Sequence, residues 1–274
     1  ALEQSRQFIQ DWQGGAQGRI TVMLGPHAPY TCPPDYLKQV LSLAQETGVG
    51  INIHVAETLD EMDTIKGDYG MSPVALLEKT GVFEVPVLAA HCVHVNDEDI
   101  AILKEYGVGV AHNPESNMKL ASGIAPVPRM LEEGIAVGLG TDGASSNNDL
   151  DMLQETRTCA LLHKVNSMNP TVLPAEQVLS MATSLGAKAL HLEDQIGCLE
   201  PGYKADMILI NLDQPHMTPR YDLIANLVYA GKASDVDTVI IDGNIVMENR
   251  QLVTIDEKKV LHQCREIARR LVQN

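Results

Sequence analysis

Three apolar runs in this chain each end on a group that could do chemistry. GINIHVAE delivers His54 and then Glu57, PVLAAHCVH delivers His91, and IAVGLGTD delivers Asp142. A neutral imidazole is a metal ligand, and a carboxylate beside it can carry protons. A lone histidine at the end of a strand is more often structural, so His54 with Glu57 decides little alone. Asp142 adds weight: a carboxylate left uncompensated in apolar surroundings costs several kcal/mol, and metal coordination removes that cost. The competing reading makes Asp142 a turn cap, since GTDGASSNN is rich in turn formers. His91 is placed to support a metal site or to act as a catalytic histidine. His27 stands between Pro26 and Pro29, which limit its backbone and suggest a fixed orientation. His94 reads as a surface residue and His112, before Asn113-Pro114, as part of a hydrogen-bonded turn. His163, His191, His216 and His262 are assigned no chemistry.

These groups need a frame to hold them. Strands are expected over 19–25, 50–56, 86–93, 107–113 and 135–142, and helices over 34–48, 72–81, 96–107 and 123–134. Strand and helix thus alternate, which is the signature of a parallel sheet. The strands are almost wholly apolar, as expected when both faces are covered. Each turns polar at its carboxyl end, the end that carries the active site of a (β/α)8 barrel. After 150 the pattern stays helical to about 190. From Gly197 it shifts to short strands, 205–212 and 237–249, the latter a hairpin turning at Asp242-Gly243. An amphipathic helix over 256–272 closes the chain.

Composition narrows the class. The chain has 274 residues, 45% of them hydrophobic, and a net charge of −16 without blocks of like charge. That balance argues against nucleic acid or an anionic membrane as partner. No apolar run is long enough to span a bilayer. The cysteines number five, an odd count without a C-x-x-C pair, which fits a reducing cytoplasm.

GPHAPYTC, HVAET, AAHCVH, HNPESNMKLASGIAPVPRML and GLGTDGASSNNDLDML occur in that order, followed by GCLEPGYKADMILINLD. Together they resemble the 5-methylthioadenosine/S-adenosylhomocysteine deaminases of the amidohydrolase superfamily, over nearly the whole chain. The resemblance implies a TIM-type (β/α)8 barrel with His54 on its fifth strand, His91 on its sixth and Asp142 on its eighth. It implies one divalent metal, zinc rather than iron, held by His54 and Asp142, and a small nucleoside as substrate. His27, Glu57 and Asp142 would contact that substrate, while Glu57, His91 and Asp142 would handle protons. The reaction implied is hydrolytic deamination: hydroxide adds to C6 of the adenine ring, Glu57 protonates N1, and ammonia leaves the inosine analogue. Since the strand before HAP ends in MLGP without lysine, a single metal is expected rather than a lysine-bridged pair.

The chain also departs from that family. Counting back from Asp142, only strands 4 to 8 are visible, so the barrel is expected to be incomplete over 1–196. A small composite β-domain is expected over 197–255, its other half preceding residue 1, with a helix over 256–274. No H-x-H pair occurs in the sequence, although the family takes two metal ligands from one. The expectation is therefore a carboxy-terminal part of a longer enzyme, a poor catalyst alone, with an edge strand open to pairing or to a homo-oligomer. Three alternatives stay open: a guanine or cytosine deaminase, a triazine hydrolase, or an inactive fragment that binds a partner through its edge.

Overall fold

The computed structural model describes residues 1–273. Its centre is a parallel sheet of β1 (Met23–Leu24), β2 (Gly50–Val55), β3 (Val87–His91), β4 (Gly109–His112) and β5 (Val137–Leu139), in that spatial order. One face of the sheet is built by strand alternation: Ile51, Ile53 and Val55 of β2 and Val87 and Ala89 of β3 are buried. They share a core with Leu37, Val40 and Ala44 of the helix Pro34–Thr47, Val74 and Leu77 of Pro73–Lys79, and Ile100 and Leu103 of Asp97–Glu105. Local chemistry sets where these helices start. The Ser72 side chain accepts from Ala75 N, and Asn96 and Asp99 form a reciprocal capping box.

The other face is not fully covered, contrary to the expectation of strands buried on both sides. Asn52 is exposed, and Leu88, Ala90, Ala111 and Leu139 are half-buried. At its amino end this face is covered by the helix Ser184–Ala189, which passes so close that only glycine fits. A Cβ on Gly109 would lie 1.9 Å from the Ala189 carbonyl, and one on Gly138 would lie 2.9 Å from Gly186 Cα. An apolar cavity of about 570 Å³ lies beside this helix, between Leu88, Ala111 and Leu139 of the sheet and Leu199, Met207 and Ile208.

A second, antiparallel sheet holds β6 (Met207–Ile210), β7 (Val236–Ile241), β8 (Asn244–Glu248) and β9 (Gln251–Leu252). Its hairpin turns at Asp242-Gly243, with φ of 49° and 74°, the two positive values that a two-residue type I′ turn needs. Within the stretch read as a β-domain lies a helix, Leu223–Ala230, whose Val228 is fully buried in the same core as the parallel sheet. The closing helix Glu257–Val272 is amphipathic as expected, yet all its side chains are exposed. No helix among the described residues is long and apolar enough to cross a membrane.

Several strands are shorter than their apolar runs. The run 19–25 pairs only through Met23 and Leu24, because β1 is an edge strand with one neighbour. The run 135–142 forms strand only to Leu139, so Asp142 sits beyond the sheet rather than at its last position. Besides Leu223–Ala230, the helices Leu59–Tyr69 and Pro114–Lys119 carry no expectation from sequence.

Candidate active site

The carboxyl ends of β1, β2 and β3 bring three histidines into a row. The ring centroids of His27 and His54 are 5.1 Å apart, and those of His54 and His91 are 5.4 Å apart and nearly parallel at 16°. Strand register alone would not produce this. His91 pairs with Val55, whose side chain points into the helical core, whereas His54 pairs with Ala90 on the other face. A φ of 74° at His91 breaks the alternation and brings its ring onto His54. Ala56, Cys92 and Asp142 also adopt left-handed backbone, at 52°, 48° and 60°. Such conformations cost about 1–3 kcal/mol each in non-glycine residues and collect at functional sites.

Each of the three rings commits its Nδ1 to the protein. His27 Nδ1 lies 2.7 Å from Thr31 Oγ1, His54 Nδ1 is 2.6 Å from the His27 carbonyl, and His91 Nδ1 is 2.8 Å from Asn117 Oδ1. A carbonyl oxygen only accepts, so His54 carries its proton on Nδ1 and keeps a lone pair on Nε2 when neutral. That is the arrangement in which protein hydrogen bonds orient a metal-binding histidine. His91 Nε2 lies 3.7 Å from Glu57 Oε2, and the other oxygen of Glu57 accepts from Ser122 Oγ at 3.1 Å.

The backbone under Glu57 is fixed by a group that sequence reasoning missed. Glu61, in the first turn of Leu59–Tyr69, is buried and accepts the Glu57 amide at 2.8 Å. Burial pushes the Glu61 carboxyl above its ordinary value, against the pull of the Glu57 and Ala56 amides. Its Oε1 is buried without a partner among the described residues.

Asp142 is exposed, which corrects the expectation of a carboxylate buried behind its apolar run. It is compensated by hydrogen bonds instead. Ser116 Oγ and Ser146 Oγ each donate to Oδ2 at 2.7 Å, and the Gly143 amide donates to Oδ1 at 2.8 Å. Partial burial raises its carboxyl, but those bonds and His91 outweigh it and hold Asp142 below its usual value. The turn-capping reading is thus present as one bond among three. Two residues before it, a Cβ on Gly140 would lie 2.3 Å from Asn113 Oδ1 and would displace that side chain.

Other residues fall differently from their sequence reading. His94 is half-buried, not a surface group, and its Nε2 lies 2.8 Å from the Ser122 carbonyl. His112 and His163 are both buried, with their Nε2 atoms 3.1 Å apart, and Cys159 lies beside them. Among the described residues, this is the group of three in which histidine, cysteine or carboxylate ligand atoms all fall within 4.8 Å of one another. Ser116, Asn117 and Ser122 lie in the NPESNMKLASG segment and Ser146 in GASSNN. A cluster of small polar residues was the signal, but nothing in it said which atoms they would hold.

The amidohydrolase family profile matches residues 1–246. The chain belongs to the amidohydrolase family. It is 64% identical, over 99% of its length, to a 5-methylthioadenosine/S-adenosylhomocysteine deaminase of Syntrophomonas wolfei, and covers 63% of that protein. It is 57% identical to the deaminase of the same name from Desulforudis audaxviator, over 100% of this chain and 64% of the relative. The resemblance read from HVAET, NMKLASG and GTDGASSNN agrees with these relatives. The chain therefore spans just under two thirds of the length of the curated relatives it matches. Among solved amidohydrolase structures, an adenosine deaminase from Xanthomonas campestris with bound zinc superposes with a TM-score of 0.94 at 32% identity, covering 99% of this chain and 62% of that one. A zinc complex of an atrazine chlorohydrolase from Arthrobacter aurescens superposes at 0.87 with 28% identity, covering 96% and 59%.

Proposed function

We propose that the protein is a metal-dependent aminohydrolase acting on the adenine ring of 5-methylthioadenosine and S-adenosylhomocysteine, releasing ammonia and the inosine analogues. The observation that carries this reading is the row of histidines with Nδ1 committed to the protein, set beside Glu57 and near a hydrogen-bonded Asp142. The deaminase relatives supply the substrate class. On this reading residues 1–196 form part of a (β/α)8 barrel whose strands 4 to 8 are β1 to β5. Residues 197–255 are the small β-domain, and Glu257–Val272 the closing helix.

His54, through Nε2, and Asp142 would hold a divalent ion, zinc being the ion bound in the similar structures. Bound there, it supplies a Lewis acid and a water whose pKa falls toward about 7. The remaining work belongs to this chain's own side chains. Asp142, kept ionised by Ser116, Ser146 and Gly143, accepts a proton from the attacking water, with His91 as its neighbour. Glu57, aimed by Ser122 and His91, delivers a proton to N1 of the adenine as C6 becomes tetrahedral. His27, exposed at the mouth, fixes the nucleoside's pose, where orientation contributes to rate.

The test is elemental analysis followed by a substrate panel. About one zinc per chain and ammonia release from 5-methylthioadenosine support the proposal. A zinc-loaded protein that turns over guanine, cytosine or a triazine while leaving adenine nucleosides intact overturns the substrate assignment.

A further inference from the structure

Glu155 lies in the first turn of the helix Met152–Ser167 and has no exposed surface. It is not the cap of that helix: Asp151 is, accepting from the Leu153 and Gln154 amides through Oδ1. The two oxygens of Glu155 turn to other segments. Oε2 accepts the Glu115 amide at 3.3 Å, and Oε1 accepts the side-chain amide of Asn147. Glu115 immediately precedes Ser116, and Asn147 immediately follows Ser146. Those two serines are the hydroxyls that donate to Asp142 Oδ2. One buried carboxyl therefore ties together both arms that hold Asp142. Lys119 Nζ, donating to the Ser145 carbonyl at 2.9 Å, joins the same two segments at the surface.

We propose that Glu155 is a positioning residue for the Asp142 side of the site, setting the two serines by holding the residue next to each. The proposal rests on the reading of Asp142 as a working group and deepens it. A merely structural carboxyl at the start of a helix would face that helix's own amides or solvent. This one is buried, spans two other segments, and faces charges of its own sign. Glu115 on the helix Pro114–Lys119 and Asp149 in the following loop oppose its ionisation, and the Cys159 thiol lies along its own helix. Burial, with those two acids, raises its carboxyl from 4.5 to about 7. The sign follows. An opened arm would let water reach Glu155 and return it toward its ordinary value, so closure is favoured at low pH and weakens as pH rises from 4.5 to about 7.

The test is amide hydrogen exchange on the 274-residue chain, corrected for intrinsic rate, in the native sequence, Glu155→Gln and Glu155→Ala. The reporters are the amides of Ser146, Asn147 and Asn148, which bond within their own loop, and that of Asn117; β2 is the control. Glu155→Ala is expected to speed exchange in both arms about tenfold or more while β2 is unchanged, and Glu155→Gln, which keeps one acceptor oxygen, to restore part of that protection. The native chain is expected to lose arm protection as pH rises from 4.5 to about 7, a dependence absent from Glu155→Gln. Equal loss of protection in β2, or arms insensitive to both variants and pH, overturns the proposal. If Glu155→Ala does not fold, the pH dependence of the native chain and Glu155→Gln decides alone. The readout needs neither metal nor turnover, so a negative deaminase assay would count against the proposed function and leave this result standing.

Discussion

The molecule holds two histidine clusters, and they are built in opposite ways. At the mouth of the parallel sheet, His27, His54 and His91 each spend Nδ1 on a protein oxygen, which leaves their Nε2 atoms to other partners. Behind it, His112 and His163 use their Nε2 atoms on each other, beside a buried Cys159. Burial keeps that second group neutral: it pushes His112 well down, brings His163 to about 4, and raises the Cys159 thiol to about 12. By spacing alone the sealed group is the better metal trap. By chemistry it is the poorer one: its two Nε2 atoms already bond each other and its thiol resists ionisation, although His112 Nδ1 is buried without a partner among the described residues. On the proposed reading, what selects the mouth over the sealed group is a free Nε2 lone pair on His54 near a carboxylate held low at Asp142, not the proximity of ligand types.

The largest expected effect breaks the comparison at the mouth. Glu57→Gln keeps the size of the side chain and leaves it unable to give or take a proton. In a zinc-loaded, active protein, kcat should fall by about 10²–10⁴ with zinc content unchanged. Steady-state kinetics paired with elemental analysis reads this, and undiminished kcat would remove Glu57 from the chemistry. Next comes His54→Ala, which deletes the ring whose tautomer the His27 carbonyl sets. Zinc affinity, measured by competition with a chromogenic chelator, should drop by about 100-fold or more. Retention of tight zinc in that variant would move the metal elsewhere, and the sealed group would be the first place to look.

How much of this was legible in the sequence depends on the range of the interaction. The strands and the helices between them announce themselves through apolar runs and caps, such as Ser72 and Asn96, which are local signals. The ends of β2 and β3 were legible too, because an apolar run stopping on histidine is conspicuous. What escaped is long-range or disguised. The helix Leu59–Tyr69 carries buried Glu61 and Ile65 on a face that otherwise reads as polar. Glu61 and Glu155 look like ordinary exposed helix acids, yet each is buried to accept a backbone amide from another segment of the site. The His112–His163 pair joins residues 51 apart, and no periodicity links a strand end to the middle of a helix. The turn of His91 onto His54 rests on one left-handed residue, where alternation predicts the opposite face.

The sealed cluster should show itself in acid. His163 has an ordinary value of 6.5 and a folded value of about 4. Below 6.5 the unfolded chain takes up a proton that the folded chain refuses until about 4, so stability falls as pH drops through that window. The loss should be on the order of 3 kcal/mol for this residue, with His112 adding in the same direction. His163→Gln removes the titration, so denaturant midpoints of the native chain and the variant should converge, or cross, as pH falls from about 7 to about 4. Parallel curves would mean that His163 is not neutral and sealed as the structure has it.

The smallest effect separates the two clusters most sharply. Cys159 is fully buried on the helix Met152–Ser167, and its thiol has no role in the mouth cluster. Cys159→Ala deletes one sulfur from a packed core, a change worth about 1 kcal/mol through lost contacts and a small void. If metal is held at His54 and Asp142, zinc stoichiometry and affinity should be the same in Cys159→Ala as in the native chain. A cobalt-loaded sample of either should show no thiolate-to-metal absorption. If metal sits among His112, Cys159 and His163, the variant loses both the absorption and the metal, because no other cysteine sulfur belongs to that group of ligand atoms. A change of about 1 kcal/mol in stability with no change in zinc would therefore say more about where the metal lies than a larger loss at the mouth, since it shows that the sealed group can be altered without cost to the site.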